Sequence, residues 1–168
     1  MNPTILSHYD INRHTIAIQP ALHTDYDTIV LEGDETLFIK ESSMSMIKRA
    51  CIEGGSTYNG RRIAISEITR AQKKVPIPID PINHIYTFPT HSPERLECSW
   101  MFYHHIRSFT PDPNSSTHTL ITFRNATQLK ISISYPAFER QIQRTSYCIL
   151  KLTHRSHQPD SLLPQLPH

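Results

Sequence analysis

Short alternating runs of apolar and polar residues fill the first forty positions of this chain. Thr15-Ile-Ala-Ile18, Thr28-Ile-Val-Leu31 and Thr36-Leu-Phe-Ile39 predict strands, separated by polar turns such as Glu32-Gly-Asp-Glu35. Ser42-Ser43 can then cap a helix over about 43–53. Met44, Ile47, Ala50 and Cys51 fall on one side of that helix, Lys48 at its edge and Arg49 away from it. Gly54-Gly55 ends it, because glycine takes the left-handed C-terminal conformation at no steric cost.

Alternation resumes over 62–69, 75–79 and 84–88 and predicts three more strands. Asp80-Pro81-Ile82-Asn83 is good turn chemistry between the last two. Pro76 and Pro78 cannot donate ladder hydrogen bonds, so their strand belongs on an edge. The most hydrophobic strand is expected over 98–106, with Cys98, Trp100, Phe102, His104 and Ile106 facing the core. Residues 119–123 and 128–133 predict a hairpin around Arg124-Asn125-Ala126, and a helix follows over 135–153 with Pro136 in its first turn. The fold class expected is α+β: one domain over 1–155, a mostly antiparallel sheet and two helices. Residues 156–168, with three prolines, are expected to form a mobile tail.

Composition agrees with a folded, strand-rich domain: 168 residues, 38% hydrophobic, with 21 isoleucines. No run approaches the ~18 apolar residues of a membrane span. The first ten residues lack the basic and apolar regions of a secretory signal. Three cysteines, far apart and without a Cys-x-x-Cys spacing, argue against a disulfide framework and for a reducing cytoplasm.

Charge changes the picture through its distribution. The net value is only +2, but residues 1–45 carry seven acids and two bases, and residues 46–168 fifteen bases and eight acids. Such asymmetry suggests contact with nucleic acid or a membrane surface, and an unevenly charged solvated surface is the alternative.

Two segments carry candidate phosphate chemistry. Gly54, Gly55 and Gly60 are three of only four glycines, and they enclose Ser56, Thr57, Tyr58 and Asn59 ahead of Arg61-Arg62. Exposed backbone N–H groups, the hydroxyls of Ser56 and Tyr58 and two guanidinium groups can share phosphate oxygens. Arginine is also the side chain that enters a narrow A·T minor groove. A helix stop followed by a tight Asn59-Gly60 turn into a strand explains the glycines equally, but not the arginine pair. Arg70, Lys73 and Lys74 extend this basic region. On the last helix, Arg140, Arg144, Lys151 and Arg155 fall in one narrow arc with Tyr147 beside them, opposite Phe138, Ile142, Thr145, Ile149 and Leu152. A stripe of bases suits the spaced phosphates of a duplex, and a solvated helix face is the alternative.

Other chemistry finds little support. His104-His105 face opposite sides of a strand and cannot both ligate a metal without distortion. P-loop, dinucleotide and nucleophile-elbow fingerprints are absent, so no cofactor or metal is expected. A small His-dependent phosphoesterase using His104 or His105 is the enzymatic alternative.

The run Cys51…Gly55-Ser56-Thr57-Tyr58-Asn59-Gly60-Arg61 is followed by Val75-Pro76-Ile77…Asp80-Pro81, Phe88-Pro89-Thr90 and Cys98-Ser99-Trp100, then Ile133-Ser134-Tyr135…Phe138-Glu139…Arg144-Thr145. In order and spacing these runs resemble the ComK family of competence transcription factors. The resemblance covers roughly residues 15–150 and is densest over 51–109. It implies a cytoplasmic activator of genes for DNA uptake and genetic transformation. It also implies binding to paired A/T-rich boxes through the minor groove of double-stranded promoter DNA, as homodimers that assemble into tetramers, and assistance to RNA polymerase. Family members are delivered to a Clp protease by an adaptor, partly through a C-terminal segment. Residues 156–168 do not resemble that segment, which puts adaptor control of this chain in doubt, and Asn125-Ala126 stands where Asn-Gly is expected. A shortened paralogue acting by interaction alone is a further alternative.

The sequence therefore predicts a non-catalytic, sequence-selective DNA-binding activator. Arg61 and Arg62 are the expected groove contacts. Ser56, Tyr58, Lys73, Lys74, Arg140, Arg144 and Lys151 are the expected phosphate contacts.

Overall fold

The computed structural model describes residues 3–156, with the side chains of Arg155 and Ser156 undescribed. Apart from Ser156 at a helix end, the expected tail lies outside the described residues. The strands are β1 (Ile5–Leu6), β2 (Thr15–Pro20), β3 (Thr28–Glu32), β4 (Glu35–Ile39), β5 (Ile77–Asp80), β6 (Ile85–Pro89), β7 (Trp100–Phe102), β8 (Ile106–Asp112), β9 (Ser115–Phe123) and β10 (Gln128–Ile131). The α-helices are α1 (Ser43–Glu53), α2 (Tyr58–Thr69) and α3 (Tyr135–Ser156).

Seven strands form one sheet in the order β1-β4-β3-β2-β7-β6-β5, and three form a second in the order β10-β9-β8. The β1–β4 pair is parallel and the other pairs are antiparallel, so the α+β architecture is observed. β5, with Pro78, lies on a sheet edge as its missing N–H requires.

Side-chain alternation distributes the core to both faces of the large sheet. Trp100 and Phe102 join Ile18, Val30 and the α1 residues Ile47 and Cys51 on one face. Met101, between them, joins Phe88, Phe123 and Phe138 on the other, beneath the small sheet and α3. A register shift after Thr15 turns both Ile16 and Ala17 toward this second cluster, while Ile18 keeps to the first. A third cluster joins Ile65 of α2, Val75, Tyr86 and Cys148 of α3.

Three expectations are corrected. Residues 62–69 are helical, so the described residues hold three α-helices and not two. Thr57 caps α2, its hydroxyl accepting from Gly60 N–H at 3.0 Å, and Asn59-Gly60 is the first helical turn and not a β-turn. Tyr58, Arg61, Ile65 and Ile68 then face inward at helical spacing, and Ile63 is left 55% exposed. The expected long strand over 98–106 is shortened to β7, because Tyr103–His105 form a 3-10 turn carrying the chain to the second sheet. Arg49, expected to point away from the core, is half-buried and bridges Glu41, Asp10 and the Tyr9 carbonyl.

Candidate nucleic-acid interface

The link between α1 and α2 explains its own glycines. Gly54 lies so close to β5 that a Cβ there would collide with the Ile79 carbonyl oxygen, and Gly55 has φ +101°. Arg61 reaches back from α2, its Nη2 donating to the Gly54 carbonyl at 2.7 Å. Its Nε is buried without a partner. The Arg61 guanidinium is thus engaged within the protein, closing a helix C-terminus whose carbonyls lack intrahelical donors.

Arg62, one position on, lines an open groove of about 740 Å³ together with Tyr58, Lys73 and Lys74. These four expected site residues come from two segments, the first turns of α2 and the connection from α2 to β5. Helix α2 ends at Arg70 in the left-handed conformation, and Lys74 adopts φ 54°. These turns fold the 70–75 segment back beside its own helix, and buried Ala71 and Val75 anchor it in the third core cluster. Tyr58 is half-buried, and burial is the main cause that raises its hydroxyl pKa. Ser56 is exposed in the link between α1 and α2 and is not among the groove's lining residues.

On α3, Arg140 and Lys151 are exposed and Arg144 is half-buried. Burial, then the neighbouring Arg140 guanidinium, lowers the Arg144 pKa. Lys151 Nζ stands 5.4 Å from the centroid of the Tyr147 ring, a cation–π arrangement that keeps the ammonium along the stripe. Arg155, the last member of the expected stripe, has a side chain outside the described ones.

Gln141 connects the two basic segments. It is 1% exposed, and its Nε2 donates to the carbonyls of Lys74 and Pro89, each at 2.8 Å. Its Oε1 accepts from Arg144 Nη1 at 3.2 Å. Sequence reasoning missed this residue. The available signal was a polar side chain on the inward arc of α3, three positions after Phe138 and four before Thr145. Glu94 and Arg95 of the β6–β7 connection also line the groove and were equally unforeseen.

The histidines of the enzymatic alternative lie apart from this surface. His105 Nε2 donates to the Arg13 carbonyl at 2.7 Å. His104 packs edge-on against Tyr86, Tyr103 and His84. Among the described residues, no group of three His, Cys, Asp or Glu side chains is placed to hold a metal ion. Burial raises the thiols of Cys51 to about 11 and Cys148 to about 12, away from nucleophilic use at neutral pH. No described helix is long and apolar enough to cross a membrane.

These features define a small α+β protein in which several basic side chains share one groove and others line an adjoining helix. The chain belongs to the ComK protein family, whose model matches residues 6–157. The competence transcription factor of Bacillus subtilis (strain 168) is 32% identical to it over 151 residues, covering 89% of this chain and 78% of that protein. No solved structure matches the chain. The resemblance seen in the separated motif runs is therefore one of family.

Proposed function

We propose that this protein is a competence transcription factor that binds double-stranded, A/T-rich promoter DNA. One observation carries the reading in a chain of this family: Arg62 and Tyr58 share a groove with Lys73 and Lys74. A guanidinium that shares a groove with two ammonium groups suits a negatively charged groove bordered by phosphates. Arg62 supplies the minor-groove contact. Lys73, Lys74 and the Tyr58 hydroxyl hold phosphates, joined by Ser56 and by Arg140, Arg144 and Lys151 along α3. Arg61 acts indirectly, by tying α2, the helix that carries Arg62, to the Gly54 carbonyl at the end of α1.

Two boxes in one promoter call for two copies of such a surface, so homodimers pairing into tetramers on DNA belong to the proposal, as does activation through contact with RNA polymerase. The reaction is binding alone and uses neither cofactor nor metal.

Anisotropy titration of the full chain with an A/T-box duplex and a mixed-sequence duplex of equal length, at several salt concentrations, tests the reading. A preference for the A/T box together with a steep salt slope is expected. Equal, weak binding of both would overturn it.

A further inference from the structure

The groove that holds Arg62, Lys73 and Lys74 also holds a carboxylate, that of Glu94. Its position is set by a compact turn. The Ser92 hydroxyl donates to Glu94 Oε2 at 2.8 Å. Arg95 N–H donates to the Ser92 carbonyl at 2.9 Å, and Cys98 N–H to the Arg95 carbonyl at 3.1 Å. The turn is anchored where Ser99 N–H donates to Thr90 Oγ1 at 2.9 Å in the buried interior. Arg95 is itself paired with Glu97, and the exposed Glu94 shares the groove with Arg62 and Tyr58 without a direct ion pair to the guanidinium. The Ser92 hydrogen bond, its own backbone amide and the Arg62 guanidinium hold the Glu94 carboxyl below the usual range, so it is charged at neutral pH.

A fixed anion on a phosphate-binding surface has two opposed effects. It repels the backbone of any duplex that approaches, which weakens sequence-independent binding. It also attracts Arg62 across the groove, and a bias of that long side chain toward the groove would leave less conformational freedom to lose when the guanidinium engages DNA. The first effect acts on every duplex. The second acts only on a duplex that accepts Arg62.

We propose that Glu94 is the residue that sets the selectivity of this surface, by orienting Arg62 for the narrow groove of an A/T run and repelling duplexes that do not engage it. This inference rests on the DNA-binding reading above. Discrimination of this kind works through a penalty on the wrong partner as well as a gain on the right one.

Full-length Glu94→Gln, Arg62→Ala, the Glu94→Gln/Arg62→Ala double variant, Lys73→Ala and Lys74→Ala are titrated against the A/T-box and mixed-sequence duplexes at fixed ionic strength. Circular dichroism and urea midpoints confirm the fold. Glu94→Gln is expected to tighten mixed-sequence binding about fivefold and A/T-box binding less than about twofold, so that the preference falls. With Arg62 already replaced by alanine, Glu94→Gln is expected to tighten both duplexes equally. An unchanged preference on Glu94→Gln alone overturns the inference, as does the same drop in preference in both backgrounds. If the A/T preference and the losses on Arg62→Ala and Lys73→Ala stand in those cases, the DNA-binding reading survives. If Arg62→Ala, Lys73→Ala and Lys74→Ala all bind both duplexes as the unaltered protein does, that reading fails and this inference with it.

Discussion

Gln141 donates its side-chain amide to the carbonyl oxygen of Lys74 at 2.8 Å, across 67 positions of sequence. The bond fastens the lysine segment of the groove to the helix that carries the second basic stripe. Replacing Gln141 by leucine would leave the Lys74 and Pro89 carbonyls without this donor. A buried unsatisfied polar group costs about 1–3 kcal/mol, so a stability loss of that order is expected in urea. DNA affinity should fall as well at temperatures where the variant is folded, because Lys74 loses its backbone anchor. Full affinity in a folded Gln141→Leu protein would show that the clamp serves stability alone.

The adjacent arginines are expected to differ in kind. Arg61→Ala removes a hydrogen bond from a charged donor to Gly54, worth about 1.5–3 kcal/mol, and should lower the urea midpoint. Arg62→Ala should leave the midpoint nearly unchanged and weaken A/T-box binding more than mixed-sequence binding. Paired unfolding and anisotropy measurements check this, and a large stability loss at Arg62 would contradict it.

Along α3, Arg140→Ala, Arg144→Ala and Lys151→Ala should each lower affinity without changing box preference. Each should reduce the slope of log affinity against log salt by about one unit. Unchanged slopes in all three would make the stripe a solvated helix face.

Ala126 occupies the tip of the β9–β10 hairpin with φ 73°. Left-handed backbone costs a residue with a Cβ about 1–2 kcal/mol, while glycine loses more backbone entropy on folding. Strain relief is the larger effect, so Ala126→Gly should raise stability by up to about 1 kcal/mol. Thermal unfolding with DNA binding as a control measures this, and a lower melting temperature would refute it.

Acidification should loosen the fold through histidine. Burial is the leading cause that lowers the pKa of His104, His105 and His91. His91 accepts at Nδ1 from the Thr90 hydroxyl (2.8 Å) and donates through Nε2 to the Ser132 carbonyl (3.0 Å), a pattern that fits the neutral ring. The unfolded chain, with histidines near ~6.5, binds protons that the native state refuses. Stability is therefore full above that value and declines as pH falls through it toward the native values. Urea midpoints from pH 8 to 5.5 should drop, and His104→Gln should flatten the profile. A flat profile in the unaltered protein would remove the histidines from this role.

Much of the architecture followed from local pattern. Ser42 ahead of an amphipathic run placed α1 at its observed bounds, and period-two alternation located most of the strands. Family membership was legible because several short runs recur in order. At residues 58–69 local pattern misled. Arg62-Ile63-Ala64-Ile65 alternates like a strand, and Asn59-Gly60 has the composition of a turn. Helix won because Thr57 caps the first turn, a local signal that was overlooked, and because Ile65 finds the third core cluster, which residues far away in sequence complete. The same holds for the site. Arginine and lysine can be counted in a sequence, but their partners cannot. Gly54 took Arg61 into the interior, while chain reversal at Arg70 and Lys74 brought the lysines beside Arg62. The acidic Glu94 and the clamp of Gln141 reached the groove from separate elements. Amino-acid order determined which residues form strands, helices and charges. Long-range packing alone decided which charges remain free and face a common groove, since desolvation and hydrogen bonding depend on neighbours in space.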